Sequence, residues 1–292
     1  LPAPVGADSE DIAYNGFTVL PDGTLVAKCF GRPAGCEAQG TLAFTECSGE
    51  QPPSLLVAIN PENLEVIDLY QMSESSGGRI TSSIYSDTQY LYVPGVENII
   101  RLTWTGSQLL LDTGWEVADY VKPGQTPASA PVVMGDWIFF QTNYSISTAP
   151  LTVWAISQAD SSNRLSIDPF GIGLNGRSII PSALSVDPEN MRIFAMDAMA
   201  QKIGAIDLID GNRLEVRWIA DQMTLSHTSL VGTKEERVLA ATSIVDFQPG
   251  PGGMINYNER VVWRAADTGE LLAQSDLLGP MAQGVPIAPG FF

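Results

Sequence analysis

The chain has 292 residues, 45% of them hydrophobic, which suffices for one large domain or two ordinary ones. With 33 acidic against 15 basic residues it carries a net charge of -18, and such a surface repels phosphate backbones and anionic lipid. No apolar run approaches the roughly 18 residues of a membrane helix, so neither nucleic-acid binding nor membrane insertion is expected.

The chain opens Leu1-Pro2-Ala3-Pro4, without Met and without a basic, apolar leader, which reads as a processed or trimmed N-terminus. Residues 1–13 are taken as an N-terminal extension. Beyond them a unit recurs: a short strand, a polar turn, a strongly apolar strand, a variable connection, then two more strands. Its first turn and second strand read Leu20-Pro21-Asp22-Gly23-Thr24-Leu25-Val26-Ala27 in the first copy. Ser86-Asp87-Thr88-Gln89-Tyr90-Leu91-Tyr92-Val93 and Met134-Gly135-Asp136-Trp137-Ile138-Phe139-Phe140 follow. The fourth and fifth copies are Asp187-Pro188-Glu189-Asn190-Met191-Arg192-Ile193-Phe194 and Gly232-Thr233-Lys234-Glu235-Glu236-Arg237-Val238-Leu239. Each sets turn residues before a β-branched or aromatic run, the pattern of a hairpin.

The third strand reads Val57-Ala58-Ile59-Asn60, Trp154-Ala155-Ile156-Ser157, Gly204-Ala205-Ile206-Asp207 and Arg264-Ala265-Ala266-Asp267. Ile99-Ile100-Arg101-Leu102-Thr103-Trp104 is the weaker second copy. Small Ala at this place suits sheets packed face to face. Units begin near residues 14, 79, 128, 180 and 227, a period of about 50 that falls in the range of propeller blades. Residues 1–292 are therefore expected to form a single all-β domain, a β-propeller of about five four-stranded blades. Residues 281–292 either close the ring or begin a sixth blade.

Cys29, Cys36 and Cys47 fall in one short stretch, and the chain's one His, His227, is too far along to complete a zinc site with them. One local disulfide and one free thiol are expected, with the pairing open. That points to an oxidising compartment, extracellular or periplasmic.

In a four-stranded meander the start of the first strand and the end of the second lie on one face, so such positions from different blades converge on a channel mouth. This rule selects Asn15, Lys28, Asn143, Asp197 and His227 as ligand-binding candidates. Asn15, Asn143 and Asp197 could hold calcium, which prefers oxygen ligands, and His227 could serve as a general base. Against this, Asn and Asp cap strand ends in every fold. Ser226-His227 is no catalytic pair, because neighbours on a strand face opposite ways. Gly171-Ile172-Gly173-Leu174-Asn175-Gly176 lacks the strand–loop–helix context of a dinucleotide loop. Gln248-Pro249-Gly250-Pro251-Gly252-Gly253 reads as a flexible excursion. Most tryptophans fall on strands and belong to interblade core; Trp115 sits beyond a strand and is the one with a surface role in prospect.

Ala266-Asp267-Thr268-Gly269-Glu270-Leu271 resembles the Ala-x-Asp-x-x-Thr-Gly-Lys-x-x-Trp blade motif of quinoprotein-like propellers. The resemblance implies the fold and, less directly, a quinone cofactor. Members that bind quinone use larger rings, a calcium, an axial tryptophan and often adjacent cysteines, and this chain has no adjacent cysteines. Asn15-Gly16-Phe17-Thr18-Val19-Leu20-Pro21-Asp22-Gly23 is similar to a segment of calcium-dependent lactonase propellers of the gluconolactonase type, in which the Asn is a metal ligand. Ile193-Phe194-Ala195-Met196-Asp197 looks like a strand of the same enzymes, and Glu10 lies near the place of their first-blade Glu.

Three functions follow as expectations. The first is a non-catalytic secreted or periplasmic propeller that binds a protein partner or small ligand at the channel mouth. The second is a calcium-dependent lactonase or esterase, and the third a quinone-binding oxidoreductase.

Overall fold

The computed structural model describes residues 2–34, 51–76, 78–127, 129–144, 149–172, 184–224, 228–249 and 255–278. These residues form strands and turns, with no helix among them. The strands fall into two units, Leu1–Val121 and Lys122–Phe292.

The first unit holds two sheets. One comprises β1 (Ala7–Val19), β2 (Leu25–Pro33), β3 (Leu55–Ile59) and β4 (Val66–Gln71), hydrogen-bonded in that order. The other comprises β5 (Thr81–Tyr85), β6 (Thr88–Pro94), β7 (Asn98–Trp104) and β8 (Leu109–Ala118). The turns match their residues. Gly23 has φ +88° between β1 and β2, while Ser86 and Asp87, both at positive φ, make the two-residue link from β5 to β6. Leu20, Val26, Leu56 and Ala58 from the first sheet pack on Leu91, Val93, Leu102 and Trp104 from the second. The Trp104 indole N–H donates to Asp22 at 2.8 Å, and the Thr18 and Ser82 hydroxyls meet at 2.7 Å.

The second unit holds three sheets. The first has β10 (Val132–Met134), β11 (Trp137–Tyr144), β12 (Val153–Ser157) and β13 (Arg164–Ile167), with the short β9 (Gln125–Pro127) paired to the far end of β11. The next has β14 (Ser185–Asp187), β15 (Arg192–Asp197), β16 (Lys202–Ile209) and β17 (Arg213–Asp221). The last has β18 (Ser229–Val231), β19 (Val238–Pro249), β20 (Ile255–Ala265) and β21 (Leu271–Gln274). All sheets are antiparallel meanders in chain order, as blades of a β-propeller are. β11 and β15 are buried along their whole length, which explains the apolar runs Trp137–Phe140 and Ile193–Met196 within them.

Core lies between the sheets of this unit as well. Phe139, Val153 and Ala155 pack against Ile193, Ala195 and Ile206, while Phe194 and Met196 on the other face pack against Leu239 and Ala241. The Gln141 side-chain amide donates to Met196 O at 3.2 Å, and Gln222 donates to Thr242 O at 3.0 Å, so each apolar seam ends in a polar tie. Trp218 donates to Ala266 O at 2.9 Å, and its ring lies where a Cβ on Gly269 would come within 2.6 Å.

Three details differ from expectation. β20 ends at Ala265, so Ala266 and Asp267 belong to the following turn. Trp263 precedes the turn glycine Gly269 by the same interval that separates Ala205 from Gly211, so the fifth copy puts a large residue at the alanine place. Trp115 lies within β8, 1% exposed, edge-on to Tyr92 at 5.2 Å and beneath the Arg101 guanidinium, which removes the surface role. Gln248 and Pro249 pair with Asn256 and Ile255 in a long hairpin, and the rest of that proline–glycine stretch lies outside the described residues. So do residues 281–292.

Candidate functional site

Asp197 closes β15 at a place with no access to solvent, 0% exposed. A carboxylate there must be met by donors, since an uncompensated buried charge is expensive. One oxygen, Oδ1, is met by three: the Tyr144 hydroxyl at 3.1 Å and the backbone N–H groups of Met199 and Ala200, each at 3.0 Å. The two backbone donors come from the turn that follows β15, the local capping that Asp provides at strand ends. The other oxygen, Oδ2, is buried and accepts no hydrogen bond from any described residue. The side chain is thus fixed through one oxygen and presents the other.

Tyr144 ends β11, fully buried, with Asn143 beside it. Asn143 is also fully buried and pairs with Thr126 on β9. Two of the convergence rule's selections, Asn143 and Asp197, thus lie at strand ends in adjacent sheets, and the residue that reaches Asp197 is Tyr144, the neighbour of Asn143 on β11, which the rule did not select. A second polar network adjoins on β9. Gln125 donates to Pro150 O at 2.7 Å and to the Thr152 hydroxyl at 2.8 Å, Thr152 donates to Asp168 at 2.6 Å, and Lys122 pairs with Asp168 at 3.1 Å. Nothing in the sequence motifs marks these residues, because their partners are 16 to 46 positions apart.

Lys28 belongs to the other unit and is fully buried on β2. Its ammonium donates to Ser76 O, the Ser76 hydroxyl and Gly78 O, which uses all three of its hydrogens. Burial pulls its pKa down to about 7, the Arg79 charge adds to the fall, and Cys29 opposes it. Asn15 lies on β1 with its side chain outside the described residues, as does the whole of His227. Glu10 has the same standing as Asn15. Cys29 is a free, buried thiol whose pKa is raised by burial, whereas Cys36 and Cys47 lie outside the described residues.

At the opposite end of the strands that carry Asp197, a cleft of about 280 Å³ opens between the fourth and fifth sheets, lined by Asn190, Arg192, Lys234, Glu235, Arg237 and Asp267. Its arginines are committed to carboxylates. Arg192 pairs with Asp207 at 2.6 Å, and Arg237 pairs with fully buried Asp187 at 3.0 Å. Asn190 takes the second oxygen of Asp187 at 2.8 Å. The cleft is where two blades are cross-linked.

No protein-family model matches this sequence, and no curated protein matches it. Solved structures do. A quinohemoprotein alcohol dehydrogenase from Comamonas testosteroni superposes with a TM-score of 0.56 at 11% identity, over 94% of this chain and 44% of its own. A protein of unknown function from Desulfotomaculum acetoxidans gives 0.52 at 11% identity over 90% of this chain and 71% of its own. A Bacteroides fragilis protein named as a 6-phosphogluconolactonase gives 0.52 at 9% identity over 94% and 73%. This chain shares their propeller fold. It spans less than half the length of the dehydrogenase, and likeness at this identity carries the fold alone.

Calcium takes six to eight oxygen ligands, usually with several carboxylates. Around Asp197 the described residues supply one open carboxylate oxygen, and nowhere do they group three or more His, Cys, Asp or Glu. Among the described residues that donor set falls short of a calcium shell, and the side chain of Asn15, the third expected ligand, lies outside them. For a quinone, the need is an accessible aromatic face; Trp104, Trp115, Trp137, Trp154 and Trp218 are buried, and Trp263 is half-buried.

Proposed function

We propose that this chain is a non-catalytic, secreted or periplasmic propeller that binds a small ligand at the Asp197 end of β15 and the Asn143 end of β11. The observation that carries the reading is the buried Oδ2 of Asp197, held by a carboxylate whose other oxygen already has three donors. An anchored acceptor of this kind, shielded from water, suits the ammonium, amide or hydroxyl hydrogen of a ligand. Asn143 adds an amide at the same sheet ends. The acidic surface favours a cationic ligand over an anionic one through its long-range field.

The test is thermal unfolding against a panel of small amines and polyols, with calcium and a chelator as separate arms, on the wild type and on Asp197→Asn. Because a ligand that binds only the native state raises the midpoint, the reading expects an amine or polyol that stabilises the wild type and not the variant. Stabilisation by calcium alone would move the assignment to a metal-dependent hydrolase. A panel without effect would count against a small-ligand site.

A further inference from the structure

The outer strands of the five sheets occupy equivalent places, so the chain supplies its own controls for what such a strand should carry. β17 exposes Arg213, Glu215 and Arg217 beside a single large aliphatic, Ile219, β13 exposes Arg164 and Ser166, and β21 exposes Leu271 and Leu272. β4 carries the longest such aliphatic run. Leu64, Val66, Ile67 and Leu69 are between 40 and 68% exposed on and just before it, and Leu110 and Leu111 of β8 add 47 and 43%. The two strands adjoin, because the Leu109 amide donates to Asp68 at 2.7 Å. The exposed aliphatics of β4 thus line the edge of the first sheet, with those of β8 on the adjoining strand.

Edge strands that face solvent are ordinarily blunted by lysine, proline or an inward charge. Neither β4 nor β8 contains a lysine, arginine or proline, and the inward charge of β4, Asp68, is held by the Leu109 amide of the neighbouring sheet. The exposed charges that frame the patch, Glu62, Glu65 and Glu116, are all acidic. A strand edge with unprotected backbone, aliphatic side chains and a one-signed rim is the surface used when an extended peptide adds to a sheet.

We propose that the β4 edge docks an extended segment of a partner protein in which lysine or arginine alternates with aliphatic residues. Backbone pairing along β4 would set the register, the aliphatic side chains would cover Val66, Ile67 and Leu69, and the basic ones would meet Glu62, Glu65 and Glu116. The same acidic rim disfavours a second copy of this chain, which would bring like charges together in a molecule of net charge -18. This surface is separate from Asp197, and either reading can fail alone.

The experiment measures binding of a fluorescein-labelled peptide of alternating lysine and valine to the intact chain, beside a glutamate–valine peptide and the Val66→Ser, Leu69→Ser double variant. The serine changes leave the charge untouched, so they separate docking from diffuse attraction to an acidic surface. The expected results are binding of the lysine peptide, loss with rising salt, affinity lowered about tenfold or more in the variant, and slowed amide exchange over residues 66–71 of the wild type. Equal binding by the variant with no protection of 66–71 would overturn the proposal, as would no binding at all. Concentration-dependent dimers that protect 66–71 without peptide would overturn it in favour of a second copy.

Discussion

At the scale of single residues, Asp197 and Lys28 are fully buried charges with opposite arrangements. Asp197 Oδ1 accepts three bonds while Oδ2 is left open. Replacing it by Ala strands the Tyr144 hydroxyl and two backbone donors, and should cost about 3 kcal/mol of unfolding free energy. Asp197→Asn keeps an acceptor for those donors and should cost about 1 kcal/mol or less. Urea unfolding of the two variants checks the ordering. Lys28 has every hydrogen used and a pKa lowered to about 7 by burial, with Arg79 reinforcing. The unfolded chain, with a lysine near pKa 10.4, binds more protons above pH 7 than the native one. Stability should therefore rise with pH, by up to about 1.4 kcal/mol per unit. The clean window lies below about pH 9, because Cys29, raised by burial, and Tyr14, raised to about 12, act in the opposite sense above it. Lys28→Met should flatten the slope; a slope unchanged in that variant would remove Lys28 as its source.

At the scale of elements, the blade-to-blade contact through Trp218 is the sharpest case. Gly269 has φ +74°, and a Cβ there would meet the indole ring at 2.6 Å. Gly269→Ala therefore combines backbone strain with a clash and should destabilise by about 2–3 kcal/mol. Trp218→Phe keeps most of the packing and loses the bond to Ala266 O, for about 1 kcal/mol. Denaturant midpoints of both variants are the check. The strands themselves were readable in the sequence, because alternation and turn residues are local signals. Ser86-Asp87 and Pro21-Asp22-Gly23 mark their hairpins as surely in the sequence as in the fold. Trp115 was misplaced for a local reason too. Asp112-Thr113-Gly114 is a bulge inside β8, opposite Arg101, whose guanidinium it holds through Asp112 at 2.9 Å, and the strand continues past it to include Trp115. The site was legible only in part. The convergence of strand ends selects Asn143 and Asp197, the residues on which the proposed site rests, but Tyr144, which joins β11 to Asp197, reads in sequence as one more aromatic on a buried strand. Lys28 satisfied the same positional rule and is spent internally, which depends on Ser76 and Gly78, 48 and 50 residues away.

At the scale of the whole molecule, a net charge of -18 sets the terms on which the chain folds and meets ligands. Self-repulsion of this size destabilises the compact state and is relieved by screening. The unfolding midpoint should rise between low salt and about 0.5 M sodium chloride; a fall would show that ion pairs such as Arg192–Asp207 and Arg237–Asp187 outweigh the repulsion. The same field underlies both binding proposals, a donor-bearing small ligand at Asp197 and a basic segment on β4, since each places positive or hydrogen-donating groups against an acidic protein. The fold neither requires nor forbids them, because propellers serve many chemistries on one frame. The most direct test is a crystal structure with the amine or polyol that most stabilises the chain. The account predicts a ligand nitrogen or hydroxyl within about 2.7–3.2 Å of Asp197 Oδ2, with Tyr144 still donating to Oδ1. A ligand bound elsewhere, or a metal ion at Oδ2, would contradict it.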